Sequence, residues 1–242
     1  MKALKLHSDR FSLAYYPVQG GGATISDVVR HELKIAQHFC IIVSDSDRKS
    51  ENSLEEGDTA RGIRTVFSDY LNGNAGSPFH ADFYIMSKVR EIENLIPFCI
   101  LSLYSNNAQN DFITRYKNDL SYFDMKVGFE YRILFNSEVY EGWKRIFPDD
   151  VIDWQQIDVF KSEAIDYDDF KTKVNGMRKL VDGWGKIILK QILYPDTHIK
   201  KENQYRLFEI KEKDLTSNQK EEWDAIGKQL FSWCCCFTNP PR

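Results

Sequence analysis

Two aspartates, Asp45 and Asp47, follow directly after the continuous apolar run at residues 39–43. A short run of this kind is typical of a strand buried in a parallel sheet. Ligands of open α/β sheets bind beyond the carboxyl ends of the strands. Two carboxylates at that place repel each other unless a cation lies between them, and Mg²⁺ or Mn²⁺ prefers such oxygen ligands. The pattern favours a metal site, and the alternative is a loop that hydrogen-bonds to its own backbone.

A second acidic pair, Glu91 and Glu93, follows an expected strand at residues 82–86. If the backbone stays extended after residue 43, Asp45 and Asp47 point to one face and can share a site. Glu91 and Glu93 are expected in a helix, where residues two apart diverge by roughly 200°, so only one should face the metal. The alternative for this pair is an acidic first helical turn, which the helix dipole stabilises.

A lysine, Lys126, lies in the segment at residues 122–128. A lysine beside a phosphodiester can stabilise the negative charge that develops during cleavage. By itself the residue indicates nothing, because most lysines are solvated surface residues.

The elements that must position these residues follow an α/β pattern. Expected strands at residues 13–18, 39–43 and 82–86 alternate with expected helices at residues 24–37 and 59–71. From residue 91 onward the pattern is mainly helical, with helices around residues 107–122, 139–146, 167–193 and 217–236. The sequence therefore predicts a small parallel sheet flanked by helices in a domain at residues 1–135, and a helical region at residues 136–242.

The net charge and the cysteine pattern argue against several classes of protein. The 242 residues carry a formal net charge of −4, which argues against a uniformly basic nucleic-acid binder. The five cysteines include three in a row, Cys234 to Cys236, and form neither a disulfide framework nor a zinc motif, so a reducing, cytoplasmic compartment is expected. We expect no membrane segment and no signal peptide.

Four motifs together resemble the TOPRIM-domain nucleases found in OLD-family proteins and related bacterial phage-defence systems. The resemblance covers about residues 12–130, and its motifs are residues 16–22 (YPVQGGG), 42–48 (IVSDSDR), 90–94 (REIEN) and 123–128 (FDMKVG). It implies a TOPRIM-like fold and a nuclease, or a nuclease subunit, that cleaves phosphodiester bonds with Mg²⁺ or Mn²⁺ in anti-phage defence. By this resemblance Asp45, Asp47 and Glu93 hold the metal, with Glu91 as second choice for Glu93. Lys126 then faces the phosphate, so Asp45, Asp47, Glu93 and Lys126 form the catalytic set.

One family feature is absent from the sequence. The TOPRIM pattern begins with a strand that ends in a glutamate, and no glutamate precedes Glu32. Three explanations stay open: a start upstream of Met1, a strand supplied by another chain, or a degenerate fold that binds without cutting.

The expected partners follow from these motifs. The substrate is a nucleic acid, DNA or RNA. A separate partner ATPase is expected where ATP is needed, because the glycines at residues 20–22 lack the lysine of a phosphate-binding P-loop. The alternative to a nuclease is a non-catalytic TOPRIM-like subunit that binds such an ATPase or a nucleic acid. A third hypothesis is a structural α/β protein whose acidic residues are solvated in loops. Whether the chain forms a homo-oligomer is left open.

Overall fold

The computed structural model of the chain describes residues 24–35, 40–53, 55–73, 81–135, 137–163, 168–169, 179–194, 201–203 and 206–235. The expected strand at residues 13–18 and the glycine motif at residues 20–22 lie outside the described residues. No helix in the described ranges has both the length and the apolar character needed to cross a bilayer.

The elements alternate between strand and helix at first and are mainly helical later. The strands are β1 (Cys40–Ser44), β2 (Ala81–Ile85), β3 (Gly128–Glu130) and β4 (Lys179–Asp182). The helices are α1 (Ile25–Ile35), α2 (Asp58–Leu71), α3 (Phe98–Leu101), α4 (Asn107–Tyr116), α5 (Ser137–Ile146), α6 (Trp154–Ser162), α7 (Ile188–Leu193) and α8 (Ser217–Cys235). The expected α/β class and the helical C-terminal part are confirmed.

The chain forms two compact units. The smaller unit contains Met1–Asp47, Glu56–Ser87 and Lys220–Arg242, and the larger unit contains Arg48–Glu55 and Lys88–Gln219. The boundaries of these two units separate groups of residues that contact one another. The boundary predicted at residue 135 instead marks a change in secondary-structure content. That division stays a prediction.

The described part of the smaller unit contains a two-stranded parallel sheet. β1 pairs with β2 in a register that matches Cys40 to Ala81 and Ser44 to Ile85. The amphipathic helices α1 and α2 pack together, and their apolar faces form a small core of Val29, Leu33, Ile63, Val66 and Phe67. The strand–helix–strand arrangement therefore agrees with the expectation for residues 39–86.

A buried carboxylate holds the last helix in the smaller unit. Glu222 of α8 is fully buried, and its carboxylate accepts hydrogen bonds from the hydroxyl of Tyr84 and the backbone N–H of Ser87. Burial raises the pKa of Tyr84 well above its usual range, and the hydrogen bond to Glu222 adds to the shift. The phenol therefore remains a donor to this carboxylate at physiological pH.

The larger unit has its own aromatic core. Trp143 of α5 stacks on Phe147 with ring centroids 5.4 Å apart, and Phe129 of β3 packs edge-on against both rings. β3 pairs antiparallel with β4. These aromatic contacts hold β3 against α5 in the core of the larger unit.

Two helix predictions in this unit need correction. The predicted helix at residues 167–193 is wrong, because the described part of that range contains β4 and the short helix α7. Gly183 lies between them where a side chain would reach the backbone of Gly128 at 2.5 Å. The helix predicted at residues 107–122 ends at Tyr116 and is followed by a separate 3₁₀ turn, Leu120–Tyr122.

Candidate functional site

The predicted aspartate pair lies directly beyond β1, in the smaller unit. Asp45 continues from the end of the strand, but Asp47 has a φ of 56°, in the left-handed region. The backbone therefore does not stay extended through Asp47, so the condition under which Asp45 and Asp47 would point to one face is not met.

Gly57 closes the loop that begins at this aspartate pair. Its backbone N–H donates to the carbonyl of Ser46 at 2.8 Å. A side chain at Gly57 would place its Cβ 2.5 Å from both Cβ and Oδ2 of Asp47. The absence of a side chain at Gly57 allows the two backbone segments to approach this closely.

Replacing Gly57 with alanine should destabilise the protein by about 1–3 kcal/mol, because the new methyl group overlaps Asp47. The φ of Gly57 is −65°, so alanine meets no backbone strain there and the loss reports the overlap alone. Denaturant unfolding measures the change. The Asp47→Gly/Gly57→Ala double variant is the control and should recover most of the loss; equal destabilisation of both variants would refute the explanation.

The second acidic pair lies on a short turn in the larger unit. Glu91 is extended, with φ −144° and ψ 163°, and it precedes a 3₁₀ turn, Ile92–Leu95, rather than beginning an α-helix. The expectation that only one of Glu91 and Glu93 faces a common site is therefore wrong. In an α-helix, side chains two residues apart diverge by roughly 200°. This divergence does not apply here, because Glu91 is extended and does not belong to a helix.

Asn94 explains why the turn forms at this place. Its side-chain oxygen accepts a hydrogen bond from the backbone N–H of Glu91 at 3.0 Å. Its side-chain amide donates to the carbonyls of Leu120 and Phe123, each at 3.0 Å. Gln219 donates in turn to the carbonyls of Asn94 and Ile96. One buried amide thus joins the turn carrying both glutamates to the segment that leads to Lys126.

Asp124 shapes the segment that carries Lys126. Its Oδ1 accepts hydrogen bonds from the backbone N–H groups of Lys126 at 3.1 Å and Val127 at 2.7 Å. Its Oδ2 accepts from Arg90 at 2.7 Å, so a charge pair links this turn to the residue before Glu91. The carbonyl of Lys126 accepts from the N–H of Gly185 at 3.0 Å, which secures the turn from its other side.

These two segments bring Glu91, Glu93 and Lys126 together. The Lys126 Nζ lies 3.1 Å from Oε2 of Glu91 and 3.0 Å from Oε2 of Glu93. Glu91 and Glu93 are only 3% and 4% exposed. The other oxygen of Glu91, Oε1, accepts from the backbone N–H of Met125 at 2.7 Å, so the backbone orients this carboxylate independently of the lysine ammonium. We call these three residues the Glu91–Glu93–Lys126 centre.

Burial raises the pKa of Glu91 to about 7, and the nearby carboxylates of Asp124 and Glu93 add to the rise. Lys126 and Arg90 act in the opposite direction but do not offset the burial. Glu91 therefore exchanges its proton near neutral pH, where an ordinary glutamate is fully ionised.

The centre has a donor set that could hold a metal ion. Carboxylate oxygens of Glu91 and Glu93 lie within 4.8 Å of each other, and both residues are buried. Hard cations such as Mg²⁺ and Mn²⁺ take oxygen ligands of this kind. The ammonium of Lys126 already contacts both carboxylates, which shows that the pair accommodates positive charge at this position.

Two of the four residues predicted for the catalytic set, Glu93 and Lys126, lie in this centre. Glu93 and Lys126 were expected in one site and lie together, whereas Asp45 and Asp47 belong to the other unit, and their metal role stays a prediction. The full part played by Glu91 was missed, as was that of Asp124. The asparagine three residues after Glu91 was an available signal, because that spacing is typical of a capped turn.

The chain matches no protein-family model, no curated protein and no solved structure.

Proposed function

We propose that this chain is a Mg²⁺- or Mn²⁺-dependent nuclease, or the nuclease subunit of a larger system, that cleaves phosphodiester bonds in bacterial anti-phage defence. The observation that carries the proposal is the meeting of Glu91, Glu93 and Lys126, from two separate motifs, in one buried centre. The TOPRIM resemblance assigns a metal-holding acid and a phosphate-facing lysine to the same two motifs. Anti-phage defence rests on the resemblance alone.

The proposed role of each residue follows from its charge. Glu91 and Glu93 would hold the cation, and Asp45 and Asp47 stay additional ligands on the sequence argument alone. A bound divalent cation supplies Lewis acidity that activates water and offsets charge on the phosphate. Lys126 has a side chain that is 27% exposed, and its ammonium would offset negative charge on a phosphate oxygen.

Cleavage of plasmid DNA and of a tRNA pool with Mg²⁺ or Mn²⁺ tests the proposal. The Glu91→Gln/Glu93→Gln variant should lose roughly 100-fold or more in cleavage rate, because neutral amides hold a divalent cation poorly. An Asp45→Ala/Asp47→Ala variant tests the strand-end aspartates separately. Asp111→Asn removes an exposed acid of α4 and should cleave like the wild type. Absence of metal-dependent cleavage, or equal cleavage by the glutamate variant, would refute the nuclease function.

One observation favours a second function, a non-catalytic subunit that binds a partner ATPase or a nucleic acid. Lys126 neutralises Glu91 and Glu93 from within the chain, so the centre is stable as a purely structural ion cluster. Direct Mn²⁺ titration followed by electron paramagnetic resonance separates the two functions. A nuclease should bind Mn²⁺ and lose it in the Glu91→Gln/Glu93→Gln variant, whereas the structural cluster should bind none.

A further inference from the structure

A cleft of about 180 Å³ with a mixed polar and apolar lining lies in the larger unit, between residues 50–52, the segment after α4, and α5. Its inner wall includes the buried rings of Tyr122 and Trp143. Pockets for drug-sized ligands occupy roughly 300–1,000 Å³, so this cleft accommodates a group the size of one planar ring system.

The loop that forms one side of the cleft is held in place on these rings. The Arg48 guanidinium lies over the ring of Tyr122 at 5.3 Å from its centroid, and Trp143 Nε1 donates to the carbonyl of Lys49 at 3.0 Å. Gly142 lies opposite Ser50, where a side chain would approach the serine Cβ at 3.1 Å. The cleft is therefore built by specific contacts.

The lining has hydrogen-bonding groups that the protein does not use. Ser50 is only 4% exposed, yet its Oγ has no hydrogen-bond partner among the described residues. Asn52 and Asn118 also line the cleft, and both residues are exposed. Asn218 donates to the Oγ of Ser121 at 2.8 Å, which leaves its carboxamide oxygen able to accept. Buried polar groups are normally paired, so the unpaired Ser50 hydroxyl points to a polar ligand.

The charges of the lining favour a ligand rich in hydrogen-bond donors. The charged residues of the lining are two acids, Glu51 and Asp119, and one base, Arg145, so the cleft does not favour an anion such as phosphate. Carboxamides pair with the edges of nucleobases, and carboxylates accept hydrogen bonds from exocyclic amino groups. Nucleic-acid-binding proteins read unstacked bases through these edges.

The cleft adjoins the Glu91–Glu93–Lys126 centre through the chain itself. The carbonyl of Ser121, a lining residue, accepts a hydrogen bond from the N–H of Arg90 at 2.8 Å, and Arg90 precedes Glu91. The lining of the cleft and the turn that carries the two glutamates are therefore joined by one backbone hydrogen bond.

We infer that this cleft binds one unpaired nucleobase with an exocyclic amino group, and so selects single-stranded nucleic acid with adenine, cytosine or guanine at that position over thymine or uracil. The inference rests on the proposed nuclease function, because it names the substrate class of that centre. It assigns edge recognition to Asn118 and Asp119, which lie in the exposed segment after α4.

Fluorescence anisotropy with labelled single-stranded oligonucleotides of only adenine, only cytosine or only thymine tests the inference, in EDTA so that no cleavage occurs. Adenine and cytosine strands should bind about tenfold more tightly than thymine strands, as expected for one specific base contact. Asn118→Ala and Asp119→Ala should each remove most of this preference and leave thymine binding unchanged. Asn107→Ala, an exposed asparagine of α4 outside the cleft, is the matched control.

The outcomes separate the cleft from the nuclease function. Equal binding of the three oligonucleotides, or a preference that survives both cleft variants, would overturn the inference even if the protein cleaves DNA or RNA. A base preference that disappears only in the cleft variants would support it even if no cleavage is found. Thermal unfolding of each variant confirms that the fold is retained.

Discussion

Replacing Lys126 with methionine should reduce the free energy of unfolding by about 3–5 kcal/mol at about pH 8 in EDTA, because two buried carboxylates then lack a cation. Both glutamates are nearly inaccessible to water, so solvent cannot replace the ammonium. Glu91 stays in place, since its Oε1 accepts from the backbone N–H of Met125. Denaturant unfolding measures the loss.

The stability of the Lys126→Met variant should depend on pH and on added Mn²⁺. At about pH 5 Glu91 is protonated, which removes much of the repulsion, so the loss should shrink. Mn²⁺ should stabilise the variant more than the wild type, because no ammonium then contacts the two carboxylates.

Lys117→Met is the matched control for this prediction, since Lys117 is an exposed lysine at the end of α4. It should change stability by less than about 0.5 kcal/mol at either pH. A loss below about 1 kcal/mol in Lys126→Met, or a loss independent of pH, would show that the lysine does not hold the two glutamates together.

Ionisation of Glu91 should lower the stability of the wild-type protein as the pH rises from about 4.5 to about 7. Glu91 has a pKa of about 7 when folded, raised by burial from its ordinary value of 4.5. In this window the folded state binds more protons than the unfolded state, so the free energy of unfolding falls with increasing pH. A shift of this size corresponds to at most about 3 kcal/mol, fully lost above pH 7. This direction is opposite to that of an ordinary ion-paired carboxylate.

Unfolding at a series of pH values, for wild type and Glu91→Gln, checks the sign. Glutamine does not titrate, so the variant should lack this pH-dependent decrease, while the effects of other groups remain. Glu141→Gln, which removes an exposed glutamate of α5 in the same unit, should follow the wild-type curve. A wild-type profile that rises between pH 4.5 and 7 by as much as in Glu91→Gln would contradict the assignment.

Local patterns were sufficient to predict β1, β2, α1 and α2. The helices have a clear apolar period, the strands are short apolar runs, and all four end within about two residues of expectation. Helix α8 was predicted almost to its last residue for the same reason. In these elements local preference and tertiary packing agree.

The geometry of the centre could not be predicted from local patterns. Residues 91–100 have apolar residues at helical spacing, but Pro97 interrupts any continuous helix and Asn94 stabilises a separate turn. The approach of Glu91 to Lys126 depends on backbone contacts between segments more than 30 residues apart. Likewise β4 forms because Gly128 and Gly183 let two backbones approach closely, a tertiary effect that overrides the helical pattern around it.

The hydrogen bonds of Glu222 have a consequence for the order of events in folding. They join α8 to Tyr84 and Ser87 across a separation of 138 and 135 residues. During synthesis, the first residues of the smaller unit leave the ribosome long before Glu222 is added to the chain. Tyr84 therefore cannot form its hydrogen bond to Glu222 until α8 has been synthesised. The larger unit draws on Arg48–Glu55 and Lys88–Gln219, so all of its segments emerge before α8 is complete. Domains whose residues emerge first fold first. We therefore expect the larger unit to acquire its structure while the chain is still being made, and the smaller unit to be completed only at the end of translation.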